Sequence, residues 1–181
     1  MIVAAVAGCL AWTLLEYLIH RFAGHAPRLA QRNPFGVEHT RHHARGHYFA
    51  PWWMKAGFAL ALLALIAPFA ILAAGVGHGL AFTSGLVALY LVYEVHHRLI
   101  HVREGRGPYA RWARRHHFHH HFADPRVNHG VTSPLWDLVF GTRRTPTRIA
   151  VPRKLAMRWL CDPVIGDVRP HLRRDYSLRE R

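Results

Sequence analysis

The chain reads as an all-α integral-membrane protein whose helical spans end in a histidine-rich cytoplasmic cap. Three observations lead there. The stretches Met1–His20 and Ala56–His97 are strongly apolar and hold no Lys or Arg. All 24 basic residues fall outside them, six in Arg21–Lys55 and eighteen in Arg98–Arg181. Seventeen of the 181 residues are histidine, and most stand in clusters flanking the apolar stretches.

A formal net charge of +14 would by itself suit nucleic acid or an anionic membrane surface. The segregation argues against nucleic acid, since a DNA-binding domain gains nothing from parting its charge around long apolar runs. Cys9 and Cys161 belong to no CxxC or Cys/His zinc pattern. Unpaired, they fit a reducing cytoplasmic face.

Residues 2–19 are apolar apart from Thr13 and Glu16. At about 1.5 Å per residue they span roughly 27 Å, close to a bilayer core. The segment starts without charge and runs straight into His20 and Arg21, which favours a membrane helix over a signal peptide. Residues 53–95 are too long for one span. The sequence Gly75-Val76-Gly77-His78-Gly79 divides them into spans at 54–74 and 80–95 joined by a Gly-rich turn. Pro68 is tolerable as a kink, and Trp52 and Trp53 stand where an interfacial belt lies. The positive-inside rule puts both basic segments in the cytoplasm and the N-terminus outside. One span and a returning hairpin then leave every histidine cluster on one side. The cap is expected at 20–52 and 96–142. The tail, 143–181, is basic and Pro-rich with little apolar periodicity. It is expected as a short amphipathic helix near Arg153–Leu160 lying on anionic lipid, or as solvated chain.

The histidine spacings carry the chemistry. His39, His42 and His43 stand at i, i+3 and i+4, one helical face within a turn, and His117, His120 and His121 repeat the pattern. His97 and His101 are i, i+4 at the end of the third span. His20 and His25 are i, i+5, a poorer helical match, so the second ring is expected beyond the helix end. Together these are ten imidazoles, about five for each of two metals. An all-imidazole pair of this kind suits iron that activates O2, although zinc and copper also accept imidazole. Structural zinc needs four ligands and usually thiolate. In the last cluster His116, His119 and His120 satisfy the same spacing, and spacing alone does not choose the register.

These motifs resemble the fatty acid hydroxylase / sterol desaturase superfamily of integral-membrane di-iron enzymes. The segment Glu16-Tyr17-Leu18-Ile19-His20-Arg21-Phe22 followed by His25 resembles the opening motif of its fatty-acid 2-hydroxylase branch. The second and third boxes match at 39–43 and 97–101. Asn128 to Thr142 resembles the stretch after the last box. The resemblance covers roughly residues 12–142.

It implies an O2-dependent lipid hydroxylase holding two iron ions, which zinc can replace in purified protein. Its ligands would be His20, His25, His39, His42, His43, His97, His101, His117, His120 and His121. His116 and His119 stand as substitutes. His129 takes a place where the family usually has an aromatic residue, and is read as packing there or as a further ligand. Glu38 and Glu94 are candidates to orient a ligand imidazole; Asp137 could do so or cap a helix. Glu16 is an intramembrane carboxylate and hence a functional candidate, or else a partner for Arg21.

The resemblance further implies a lipid substrate, most simply a fatty acyl chain, hydroxylated or desaturated. Two electrons would come from a separate donor, cytochrome b5-like or a ferredoxin with its reductase. A carotenoid ring hydroxylase and a sterol-type oxidase are the nearest alternatives. A membrane metal-binding or transport protein is a remoter one, because transport ligands belong near the bilayer midplane.

Overall fold

A computed structural model describes residues 1–180. Helix α1 (Ile2–Leu18) continues into a π-helical turn at Ile19–Gly24. Helix α2 (Pro34–Arg45) starts at Asn33, whose side chain accepts a hydrogen bond from the Gly36 N–H at 2.8 Å. That is an N-cap followed by proline in the first turn. The long element α3 (Trp52–Val102) is helical throughout except at Gly75. It is not straight: Lys55 Nζ lies 2.5 Å from Glu94 Oε2, and Tyr90 Oη donates to the Lys55 carbonyl at 3.0 Å. In a straight helix Lys55 and Glu94 would be about 58 Å apart. Gly75, at φ 77° and ψ 165°, is the hinge, a backbone position that side-chain-bearing residues rarely adopt. The turn expected over Gly75–Gly79 is therefore a single residue, with helix resuming at once.

Both arms of α3 pack on α1. At the crossing, a Cβ on Gly8 would sit 1.9 Å from the Phe82 carbonyl oxygen, and one on Gly85 2.0 Å from that of Ala5. Small residues bring the backbones together where lipid supplies no hydrophobic drive between helices. Below the crossing, Trp12, Leu62, Leu86 and Tyr90 form an aromatic-rich core, with the Trp12 and Tyr90 rings 4.9 Å apart edge to face. The opposite faces are apolar and bare, as at Leu72, which is 86% exposed, and Val3, 83%. The two apolar helices, Ile2–Gly24 and Trp52–Val102, are long enough to cross a bilayer. Bare apolar faces on them associate the chain with a membrane, and the all-α expectation holds for the bulk of it.

Helices α4 (Gly107–Phe122) and α5 (Leu135–Val139) complete the cap. The tail departs from expectation, being neither an amphipathic helix nor solvated chain. Strands β1 (Ile149–Pro152) and β2 (Tyr176–Arg179) pair in parallel, Ile149 opposite Tyr176. Met157, Leu160, Val168 and Leu172 fill the space between the strands and Phe118 and Phe122 of α4. These apolar residues are spaced by turns, so no helical or strand period shows in the sequence.

Candidate metal centre

Four helix ends converge on the cap, and each brings its histidines. The α1 end does so through the π turn. Its i→i+5 hydrogen-bond spacing returns His25, the residue capping the turn, to the side that carries His20. His25 thus lies just past the helix end, as its spacing requires. Helix α2 brings His39, His42 and His43, the end of α3 His97 and His101, and α4 His117, His120 and His121.

The ten rings sort into two groups. One comprises His20, His25, His39, His43 and His120, the other His42, His97, His101, His117 and His121. In each group one nitrogen per ring lies within 4.8 Å of the rest. The two triplet boxes are each divided between the groups. From α2 the i, i+4 pair His39 and His43 goes to the first group and His42 to the second. From α4 the pair His117 and His121 goes to the second and His120 to the first. The groups are pseudosymmetric, each taking a pair from one span end, a pair from one cap helix and a single ring from the other. They touch through His43 and His121, whose rings stack at 3.9 Å and 3°.

The hydrogen bonds set the tautomers. His20 Nδ1 donates to the His129 carbonyl at 2.5 Å, His42 Nδ1 to that of Tyr48 at 2.7 Å, and His120 Nδ1 to that of Val127 at 2.8 Å. A carbonyl can only accept, so in each neutral ring the proton is on Nδ1 and Nε2 presents a lone pair. The Nε2 atoms of His20, His42 and His43 are buried without a hydrogen-bond partner. Elsewhere ring nitrogens face one another, His25 Nε2 lying 2.8 Å from His39 Nε2 and 2.9 Å from His120 Nε2. Converging buried lone pairs are costly unless a cation joins them. The donor set therefore fits a metal in each group.

Burial also holds the rings neutral, the ligating form. It lowers His25 and His42 to about 4. Burial, then the crowding of neighbouring imidazoles, holds His39, His43, His117, His120 and His121 well below the usual range.

The remaining candidates lie outside both groups. His116 Nε2 meets Asp137 Oδ2 at 3.1 Å, His119 sits at the partly exposed edge of α4, and His129 Nε2 donates to the Arg126 carbonyl at 3.1 Å. The backbone carbonyl of His129, not its ring, positions His20. Asp137 caps no helix and touches no grouped imidazole. It accepts from the N–H of His129 and of Gly130, each at 2.8 Å, and from Thr142 Oγ1 at 2.7 Å. Burial alone would raise its pKa, but hydrogen bonds from His116, Thr142 and Gly130 leave it below the usual carboxylate value.

Glu16 does not pair with Arg21. It accepts from the Val131 N–H at 2.5 Å and from Thr132 N–H and Oγ1 at 3.0 and 2.6 Å, while Arg21 donates to Tyr17. Glu38 binds Tyr48 Oη and Arg41, and Glu94 binds Lys55, so neither carboxylate orients an imidazole directly. Sequence reasoning missed the carbonyls of Tyr48, Val127 and His129. No residue type marks a backbone acceptor, so no signal pointed to them.

Beside the groups lies a cavity of about 200 Å³ between α1, α2 and α3. His39 of the first group and His42 and His97 of the second line it, with Trp12, Phe35 and Phe58 among its apolar walls.

Fold and site together define a membrane-associated helical protein built around two adjoining clusters of five imidazoles. The pattern of the fatty acid hydroxylase family matches residues 5–142, and the chain belongs to that family. It is 30% identical over 142 residues to the ceramide very long chain fatty acid hydroxylase scs7 of Schizosaccharomyces pombe, covering 76% of this chain and 41% of that protein. It is 31% identical over 150 residues to the rat fatty acid 2-hydroxylase, covering 76% and 38%. The dihydroceramide fatty acyl 2-hydroxylase FAH1 of Arabidopsis thaliana is 30% identical over 154 residues, with 82% and 62% covered. The chain thus spans less than two thirds of each of these relatives. A solved structure of full-length scs7p, in which only the hydroxylase domain is visible, superposes with a TM-score of 0.55 at 25% identity, covering 78% of this chain and 56% of that one.

Proposed function

We propose that the chain is a membrane-bound di-iron oxygenase that hydroxylates a lipid, most simply a fatty acyl chain. The observation carrying this reading is the junction of an apolar cavity with both imidazole groups. His39, His42 and His97 line a space whose other walls are largely aromatic and aliphatic. His20, His25, His39, His43 and His120 would hold one iron, and His42, His97, His101, His117 and His121 the other. The two irons would supply O2 activation, with zinc the metal expected to replace them in purified protein.

The chain's own residues do the rest. The carbonyls of His129, Tyr48 and Val127 fix ring orientation and tautomer. Phe35, Phe58 and Trp12 admit an alkyl chain and exclude water beside the rings. Two electrons would come from an external carrier of the cytochrome b5 or ferredoxin type. The α1 span and the two arms of α3 would cross the bilayer three times, with the N-terminus outside and the boxes and C-terminus cytoplasmic.

Lipid analysis of a host with and without the gene, under air and under argon, tests the reading. Hydroxylated acyl lipid is expected only with the gene and O2. His42→Ala, from the second group, and His120→Ala, from the first, should each abolish it while the protein stays in the membrane, because insertion depends on apolar spans and not on imidazoles. Product under argon, or product from either variant, would sink the proposal.

A further inference from the structure

A second cleft on the cap shares no lining residue with the cavity lined by His39, His42 and His97. It is lined by Arg111, Arg115, Arg143, Arg144, Trp112 and His116. One carboxylate, Asp175, offsets these cations. It takes a bidentate hydrogen bond from Arg111 at 2.7 and 2.8 Å and lies 3.4 Å from Arg115 Nη1. Arg143 and Arg144 are exposed, and among the described residues neither forms an ion pair.

The cleft leads inward. Trp112 packs on His116 with ring centroids 5.1 Å apart at 32°. His116 is buried, and its chain neighbour His117 belongs to the second imidazole group. Through Nε2 it also meets Asp137, which accepts from the N–H of His129, whose carbonyl accepts a hydrogen bond from His20 Nδ1. An arginine-lined surface is thus joined through packed rings and hydrogen bonds to the first group, and through the His116–His117 backbone to the second.

We infer that the Arg111–Arg115–Arg143–Arg144 cleft is the docking surface for a small acidic one-electron carrier protein, with Trp112 and His116 the route inward. The inference rests on the oxygenase reading, which requires an electron source. Each turnover converts R–H, O2, two electrons and two protons into R–OH and water. Two reduced carriers would dock in succession, each giving up one electron, and solvent would supply the protons. A patch of four arginines offset by one carboxylate, with Arg143 and Arg144 free of any ion pair among the described residues, steers an acidic protein and confers strong salt dependence on the encounter. An anionic lipid headgroup would find the same charge. It would have no use for a connection running from the partly buried Trp112 through buried His116 and Asp137 to the imidazole groups, and that connection favours the carrier.

The test is a binding measurement that needs no turnover. Purified protein in nanodiscs of neutral phosphatidylcholine is titrated with the soluble haem domain of an oxidised cytochrome b5, an acidic one-electron carrier. The expected result is saturable binding that weakens steeply from 50 to 300 mM salt. The paired variant Arg143→Glu/Arg144→Glu should raise Kd tenfold or more, and Arg143→Lys/Arg144→Lys should restore it. These arginines lie outside both imidazole groups, so metal content should match the unaltered chain and reports that the cap has folded. Unchanged carrier binding in the Glu variant overturns the inference. So does loss of phosphatidylglycerol-vesicle binding in that variant with carrier binding intact, which would assign the cleft to lipid. If the carrier binds at the cleft and no lipid product ever forms, the oxygenase reading fails while the surface stands. If product forms and the cleft variants bind as before, the reverse holds.

Discussion

Asp137 shows how much one side chain outside the imidazole groups controls. Its two oxygens hold the N–H groups of His129 and Gly130, the Thr142 hydroxyl and the His116 ring. Truncation to Ala would leave two backbone N–H groups buried without partners and release the carbonyl that orients His20. A cost of about 3 kcal/mol is expected from unsatisfied buried donors, with metal content falling chiefly in the group that contains His20. Thermal melting together with elemental analysis of Asp137→Ala and Asp137→Asn checks this. Equal metal content in both variants and the parent would show that the network supports only the loop. The imidazoles make a second statement at this scale. His25 and His42 take up protons near pH 4 when folded and near 6.5 when unfolded. The unfolded chain therefore binds more protons between those values, and the metal-free protein should lose stability as pH falls from about 6.5 to about 4. A melting midpoint of metal-stripped protein that is flat, or rises, over that interval would contradict neutral buried rings.

At the scale of elements, the α1–α3 crossing and the tail carry the sharpest expectations. Gly8 and Gly85 face backbone carbonyls closely enough that any side chain must push the helices apart. Gly85→Leu should therefore separate α1 from α3 and displace His20 and His25 relative to His97 and His101, lowering bound metal without touching a ligand. The same change at Gly57, where added atoms meet nothing within 4 Å, is the control and should leave metal content intact. In the tail, Tyr176 is 1% exposed and packs with Phe118, Leu160 and Ile149 under α4. Tyr176→Ala should cost about 3–5 kcal/mol, the range for emptying a buried aromatic site. A solvated tail would tolerate it, so an unchanged melting curve would refute the packing of β1 and β2 on the cap.

The whole molecule has one polarity. The grouped imidazoles, the arginine cleft and the packed tail belong to the cap, and Gly75 marks the far end of the hairpin. With Cys9 and Cys161 replaced by Ser, a cysteine at Val76, 64% exposed, should react with an impermeant thiol reagent from outside the cell. One at Val164, 92% exposed, should react only after the membrane is opened. Labelling of both from the same side would overturn the three-crossing topology.

The membrane helices, the cap and the ten grouped imidazoles were legible in the sequence, because each rests on a local regularity. Apolar length, the absence of charge, the position of Gly75 and the i, i+3, i+4 spacing all act within one segment. The register of the last box was not legible in this way: His116, His119 and His120 satisfy the same spacing, and only the resemblance favours His117, His120 and His121. What the sequence could not determine was how the boxes are divided. His42 parts from His39 and His43, and His120 from His117 and His121, because four helix ends approach from different sides, and that depends on crossings set by Gly8 and Gly85. The π turn that makes His20 and His25 neighbours was hidden as well, since i→i+5 bonding leaves no residue pattern. The roles of Glu16 and Asp137 as acceptors for the 129–132 loop, the carbonyls behind His20, His42 and His120, and the fold of the tail were decided in the same way. Each is a contact across long sequence separation, made by backbone groups or by residues spaced without a period. Only the tertiary structure brings such partners together.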